Sequence, residues 1–162
     1  MSGAGDRAAF LARLGGVAEG SPWVAERAWE LGPFAGVDDV AAAFARVARE
    51  APEGDQLALI RAHPDLAGRA VLDGDLTPES AGEQRSAGLD RLTPGDLARF
   101  TRLNAAYRAR FGFPFVICVR GRDVAGILRD YEERLPHDAA TERARAVEEI
   151  VAIMDLRIRD AA

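Results

Sequence analysis

Apolar residues recur along this chain at helical spacing. Phe10, Leu11 and Leu14 form one set, Val40, Phe44 and Val47 a second, and Leu97, Phe100, Leu103 and Tyr107 a third; each set falls on one face of an α-helix. From about Thr141 to Asp160 the same spacing continues through Val147, Ile150, Val151 and Met154 and predicts the longest helix. Ser21-Pro22, Thr77-Pro78 and Thr93-Pro94 each offer a capping hydroxyl followed by proline, which marks three helix starts. The expected class is all-α, a single-domain helical bundle over residues 1–162. Only Phe111-Gly112-Phe113-Pro114-Phe115-Val116-Ile117-Cys118-Val119 breaks the pattern. It is aromatic and β-branched with a proline inside, which predicts one short extended segment near 113–119 with no partner strand. Its backbone groups must still find hydrogen bonds. Either a ligand supplies them, or helix ends and waters do while Phe113, Phe115 and Ile117 fill the core.

The string Arg61-Ala62-His63-Pro64-Asp65-Leu66-Ala67-Gly68 places one of only two histidines at a helix end. Pro64 pushes His63 out of helical geometry, so the imidazole projects from the terminus. A free imidazole has a pKa of about 6.5, which suits proton transfer near neutrality; the alternative is a surface or C-capping histidine. His137, between Pro136 and Asp138, reads as structural. The stretch Thr77 to Leu92 is a poor packing helix, because Gly82 and Gly88 would each cost about 1 kcal/mol relative to alanine in a helix interior. Ser80, Glu83, Gln84 and Ala87 share one face and present a hydroxyl, a carboxylate and an amide, either to a site or to solvent. Arg157 lies on the apolar stripe of Ala146, Ile150 and Ile153. A guanidinium there needs an anion: a structural carboxylate such as Glu83, or the carboxylate of a substrate held by a bidentate fork. Glu142, Arg143, Arg145, Glu148 and Glu149 on the same helix read as a solvated face, and Trp23 and Trp29 as packing residues.

Composition narrows the chemistry. A chain of 162 residues can bury about two-thirds of its unfolded surface, enough for one real core. A net charge of -5 opposes binding to a phosphate backbone, so no nucleic-acid partner is expected. All 21 basic positions are arginine, so no lysine is present for a Schiff base or a phosphate loop. Two histidines far apart and the lone Cys118 argue against a metal centre or a disulfide. The expectation is cofactor-free chemistry on a small molecule, with no metal. The first residues, Met1 to Asp6, do not read as a secretory leader, and no apolar run approaches the roughly 20 residues of a membrane span. A soluble protein in a reducing compartment is expected.

Several of these strings occur in the same order in one enzyme family. Ser21-Pro22-Trp23-Val24, Gln56-Leu57, Leu59 through Gly68, Leu76 through Ser80, Glu83-Gln84, Ala87-Gly88-Leu89, Leu103-Asn104, Tyr107 and Arg110 through Ile117 resemble the OHCU decarboxylases. Those enzymes act on 2-oxo-4-hydroxy-4-carboxy-5-ureidoimidazoline (OHCU) in uric acid breakdown. The resemblance spans nearly the whole chain. It implies an all-helical, cofactor-independent carboxy-lyase, usually a homodimer, that yields (S)-allantoin. It places the catalytic acid/base on His63, with Glu83 and Arg157 as further catalytic groups. Substrate contacts fall on Pro64, Ser80, Glu83, Gln84 and the backbone of Phe115, Val116, Ile117, Cys118 and Val119. Gly82 and Pro136-His137 depart from the family pattern without touching those positions. The C-terminal Arg159-Asp160-Ala161-Ala162 is no peroxisomal Ser-Lys-Leu address, so cytoplasm is the expected compartment.

Two other readings use the same residues. A cofactor-free isomerase or cyclic-amide hydrolase of a neighbouring purine catabolite would employ His63 and Glu83 but release no carbon dioxide. An inert helical adaptor would use His63 as a cap and Arg157 as a bridge, and would show no stabilisation by ligand.

Overall fold

A computed structural model describes residues 4–68 and 74–162. Met1 to Gly3, on which the reading of the N-terminus partly rests, lie outside the described residues. Among the described residues there are eight α-helices and no strand: α1 (Ala4–Leu14), α2 (Trp23–Trp29), α3 (Val37–Glu50), α4 (Glu53–Arg61), α5 (Pro78–Ser86), α6 (Pro94–Phe111), α7 (Val124–Arg134) and α8 (Ala139–Asp160). The all-α class is as the sequence predicts. No helix is long and apolar enough to cross a membrane.

The helices gather into two compact units, one made of the chain through Ala62 together with Val147–Ala162, the other of His63–Ala146. In the first, α1 packs on α2 and α2 on α3. Phe10 sits at the centre, its ring 5.1 Å from Trp29, 5.8 Å from Phe34 and 6.2 Å from Phe44. Trp29 is half-buried in that cluster, and Trp23, also half-buried, lies under the Arg27 guanidinium. Leu59 and Ile60 of α4 are fully buried, as is Ile150 of α8. The predicted stripes of α1, α3 and α8 are therefore the faces that bury.

In the second unit, α6 and α7 pack together. Thr77 and Thr93 cap α5 and α6 as predicted, accepting from the N–H groups of Ser80 and Asp96 at 3.2 and 3.1 Å, with proline at the first helical position. Ser21 differs: α2 begins after Pro22 with no side-chain cap, and Ser21 contributes its carbonyl to Val24 N–H instead. Asp123 and Asp138 cap α7 and α8 through bonds to Gly126 and Thr141 at 2.8 and 2.7 Å. The bond from Thr141 holds the Asp138 carboxyl below the usual carboxylate range.

The helix expected to run from Thr77 toward Leu92 ends at Ser86. Gly88 takes a φ of +81° just beyond it, so this glycine terminates the helix rather than weakening its interior. Gly112 does the same for α6 at φ +75° and releases the chain into residues 113–119, which are irregular and buried except at half-buried Cys118.

Candidate active site

The loop after α4 carries His63, which is buried at 6% exposure. Its shape follows from five residues. Ala67 has a φ of +50°, an arrangement that costs a non-glycine residue about 1–2 kcal/mol. Gly68 turns so close to Asp65 that a Cβ there would lie 2.9 Å from Asp65 Cβ. Gln84, on α5, clamps this turn twice: its Oε1 accepts from Ala67 N–H at 3.0 Å and its Nε2 donates to the Asp65 carbonyl at 3.2 Å. From α6, Asn104 Nδ2 donates to the Leu66 carbonyl at 2.9 Å, and Arg108 Nε reaches both Asp65 carboxylate oxygens at 3.1 and 3.3 Å. A strained loop persists when its surroundings over-determine it, and here two helices do so.

Ser80 and Gln84 are buried at 5% and 4% exposure, so that face of α5 packs inward and the solvated-face alternative fails for both. Ala87 is buried with them, while Glu83 is half-buried on the same helix. The structure thus brings Gln84 onto the turn that follows His63 and Pro64, with Ser80 on the same buried face.

The extended segment finds its donors in arginines. Arg134 Nη1 donates to the Val116 carbonyl at 2.9 Å, and Arg122 Nε to the Cys118 carbonyl at 3.1 Å. Arg122 is in turn paired with Asp130. Phe115 is enclosed between the Tyr131 ring, stacked at 3.8 Å and 9°, and the Arg134 guanidinium at 4.2 Å. Of the two partner sources open at the outset, the protein itself supplies these donors, through side chains rather than helix ends. Phe113, Phe115 and Ile117 are core residues.

Behind the segment lies a buried polar cluster that the sequence does not advertise. Glu142, placed on a solvated face from its sequence context, is fully buried, because it is the counter-charge of buried Arg134. Its Oε1 accepts from Arg134 Nε at 2.9 Å and from the Tyr107 hydroxyl at 2.6 Å, and its Oε2 lies 3.0 Å from His137 Nδ1. The second histidine is therefore structural. Burial and the neighbouring Glu142 carboxylate push the Tyr107 hydroxyl far above its ordinary pKa. Tyr131 is raised as strongly, again mainly by burial, with the charge of Asp65 adding to it. Both hydroxyls therefore remain donors. Two buried side-chain nitrogens, His63 Nε2 and Arg134 Nη2, meet no hydrogen-bond acceptor among the described residues; His63 is engaged through other interactions.

Arg157 is placed in the other unit, buried at 9% exposure. Its Nη1 donates to Glu19 Oε2 at 2.9 Å and to the Val17 carbonyl at 3.2 Å. The anion beside it is thus Glu19, not the Glu83 suggested by sequence. Glu19 sits in the turn after α1, where nothing in local spacing signals a partner so far along the chain. Among the described residues, no group of three or more His, Cys, Asp or Glu side chains is gathered as a metal would require.

The model of the family described as OHCU decarboxylase matches residues 4–159. A 2-oxo-4-hydroxy-4-carboxy-5-ureidoimidazoline decarboxylase from Amia calva is 46% identical over 93% of this chain and 86% of its own length. One from Halalkalicoccus jeotgali is 41% identical over 96% of this chain and 86% of its own length. Among solved structures, an OHCU decarboxylase crystallised in the presence of (S)-allantoin superposes with a TM-score of 0.72 at 26% identity, covering 89% of this chain and 93% of that one. An (S)-allantoin synthase superposes at 0.76 with 28% identity, covering 96% of this chain and 50% of that one. With residues matched from the first helix to the last, this chain belongs to the OHCU decarboxylase family and is a carboxy-lyase.

Proposed function

We propose that the protein decarboxylates OHCU to (S)-allantoin, with His63 as the acid/base group. The carbon that bears the hydroxyl and the carboxylate adjoins an imine. When the C–C bond to the carboxylate breaks and carbon dioxide leaves, the electron pair moves into the ring and the imine nitrogen accepts charge. The substrate is thus its own electron sink, and no cofactor or metal is needed. The enol-like intermediate then takes a proton at the ureido-bearing carbon, while its hydroxyl proton passes to the ring nitrogen that took up the charge, leaving the carbonyl. Delivery to one face makes one enantiomer. A single imidazole can move both protons, a contribution of about 10²- to 10⁴-fold.

The observation that carries this reading is the His63 loop itself, a buried histidine at a helix end followed by a strained turn clamped from α5 and α6. Glu83 orients the imidazole or the substrate hydroxyl, and Pro64, Ser80, Gln84 and the backbone of residues 115–119 hold the ring and ureido edges. Arg157 takes the substrate carboxylate, so Arg157→Met is expected to raise KM more than it lowers kcat. A cytoplasmic homodimer completes the proposal. The test is to generate OHCU in situ from urate with purified upstream enzymes and follow allantoin chirality with and without this protein. Accelerated, one-handed product with carbon dioxide release supports the assignment, and an unchanged rate of racemic product refutes it.

A further inference from the structure

We propose that Asn104 and Tyr131, neither of which is placed against the substrate, are positioning residues that hold the His63 loop and the Phe115 segment in one register for the decarboxylation; this rests on the function proposed above.

The inference starts from a chain of contacts inside one compact unit. The Tyr131 hydroxyl donates to Asn104 Oδ1 at 2.6 Å, and Asn104 Nδ2 donates to the Leu66 carbonyl at 2.9 Å. An amide can present either its oxygen or its nitrogen in a given direction. The Leu66 carbonyl can only accept, so it takes the NH2 end, and the Tyr131 hydroxyl donates to the oxygen that remains. With Oδ1 committed to Tyr131, the NH2 group faces Leu66, three residues past His63. Without that hydroxyl, Oδ1 loses its buried donor and the amide is held from one end only.

The same tyrosine ring forms the other half of the link. It lies flat on Phe115 at 3.8 Å and 9°, and Phe115 begins the stretch whose backbone is proposed to hold substrate. Tyr131 is fully buried and Asn104 is 9% exposed. Tyr131 is thus one rigid group on α7 that touches the segment with its face and, through Asn104, the loop with its edge. Core packing alone would need the ring but not the hydroxyl; a phenylalanine would stack equally well. The hydroxyl and the amide add to that stack a directional hold on the loop after His63.

Tyr131→Phe separates these roles, because it keeps the stack and removes the bond. Measured with OHCU made in situ, kcat is expected to fall about 10- to 100-fold, the scale of a small misplacement of a reacting group. KM is expected to change by less than about threefold. The enantiomeric excess at saturating enzyme is expected to fall, since a loosened imidazole no longer favours one face. Asn104→Ala is expected to behave alike. The double variant should be no slower than Asn104→Ala, because the hydroxyl acts through the amide. A merely structural role would lower Tm and leave kcat per folded molecule, chirality and additivity untouched, and that result would overturn the proposal.

A substrate-free readout keeps this test separate from the proposed reaction. With only two histidines, the ring-proton NMR line of His63 is identified by comparison with His137→Asn. Tyr131→Phe is expected to shift and broaden that line, and an unchanged line overturns the positioning role even if the wild type proves inactive on OHCU. A moved line with an inactive wild type would instead refute the proposed substrate alone.

Discussion

The two compact units are built on different interiors. The unit containing α1 to α4 is packed mainly with side chains such as Phe10, Phe44, Leu59 and Ile60; Arg157 and Glu19 form a buried ion pair in it, while other charges pair at the surface, as in Arg49 with Glu148 and Arg159 with Asp38. The unit spanning His63–Ala146 carries polar groups in its interior: Arg134 and Tyr107 bonded to Glu142, and Tyr131 bonded to Asn104. An apolar core tolerates substitutions that conserve volume, because dispersion and area burial have no direction. A buried polar network tolerates little, because each donor is matched to one acceptor at one distance. The unit that holds the His63 loop thus has its geometry set by directional bonds.

Substitution can break this contrast. Glu142→Gln, nearly isosteric, removes the counter-charge of buried Arg134 and is expected to cost about 3–5 kcal/mol in denaturant unfolding. Ile60→Leu, equally buried in the other unit, is expected to cost less than about 1.5 kcal/mol. Similar losses from the two would contradict the comparison. Gln84→Ala comes next: it leaves the Ala67 N–H and the Asp65 carbonyl without their partner, at about 1–3 kcal/mol, and frees the strained turn. Its melting temperature and the protease sensitivity of residues 63–68 report both effects, and an unchanged turn would show that Asn104 and Arg108 suffice.

The smallest effect is at the surface. Arg49 holds the half-exposed Glu148 carboxyl below its ordinary pKa. Stability from this pair is therefore present above the unfolded value near 4.5 and is lost as pH falls through the lower folded value. Glu148→Gln is expected to cost only about 0.5 kcal/mol at neutral pH. In urea titrations the difference from wild type should vanish in acid, and a difference that grows instead would reverse the sign.

These contrasts also explain what the sequence discloses. The helices follow from periodicity, and Thr77-Pro78 and Thr93-Pro94 mark two starts correctly, because caps act within four residues. The polar interior is hidden because its bonds are long in sequence: Asn104 to Leu66 spans 38 residues and Tyr107 to Glu142 spans 35. Glu142 stands among surface charges on α8, and only the buried Arg134 singles it out. The place of His63 at a helix end was legible from Pro64, whereas the spacing of Ser80, Glu83 and Gln84 grouped them on one face without deciding whether it turns inward or to solvent. The need of Arg157 for an anion was legible from its apolar stripe, but its partner was not, because Glu19 lies in a turn 138 residues away.

The central claim is that the imidazole of residue 63 manages the protons of a self-stabilised carbanion. The direct measurement is the turnover of His63→Gln on OHCU made in situ, alongside its thermal melt. The expected result is a kcat/KM at least about 100-fold below wild type, with racemic allantoin and a nearly unchanged melt. Wild-type turnover with one-handed product would contradict it.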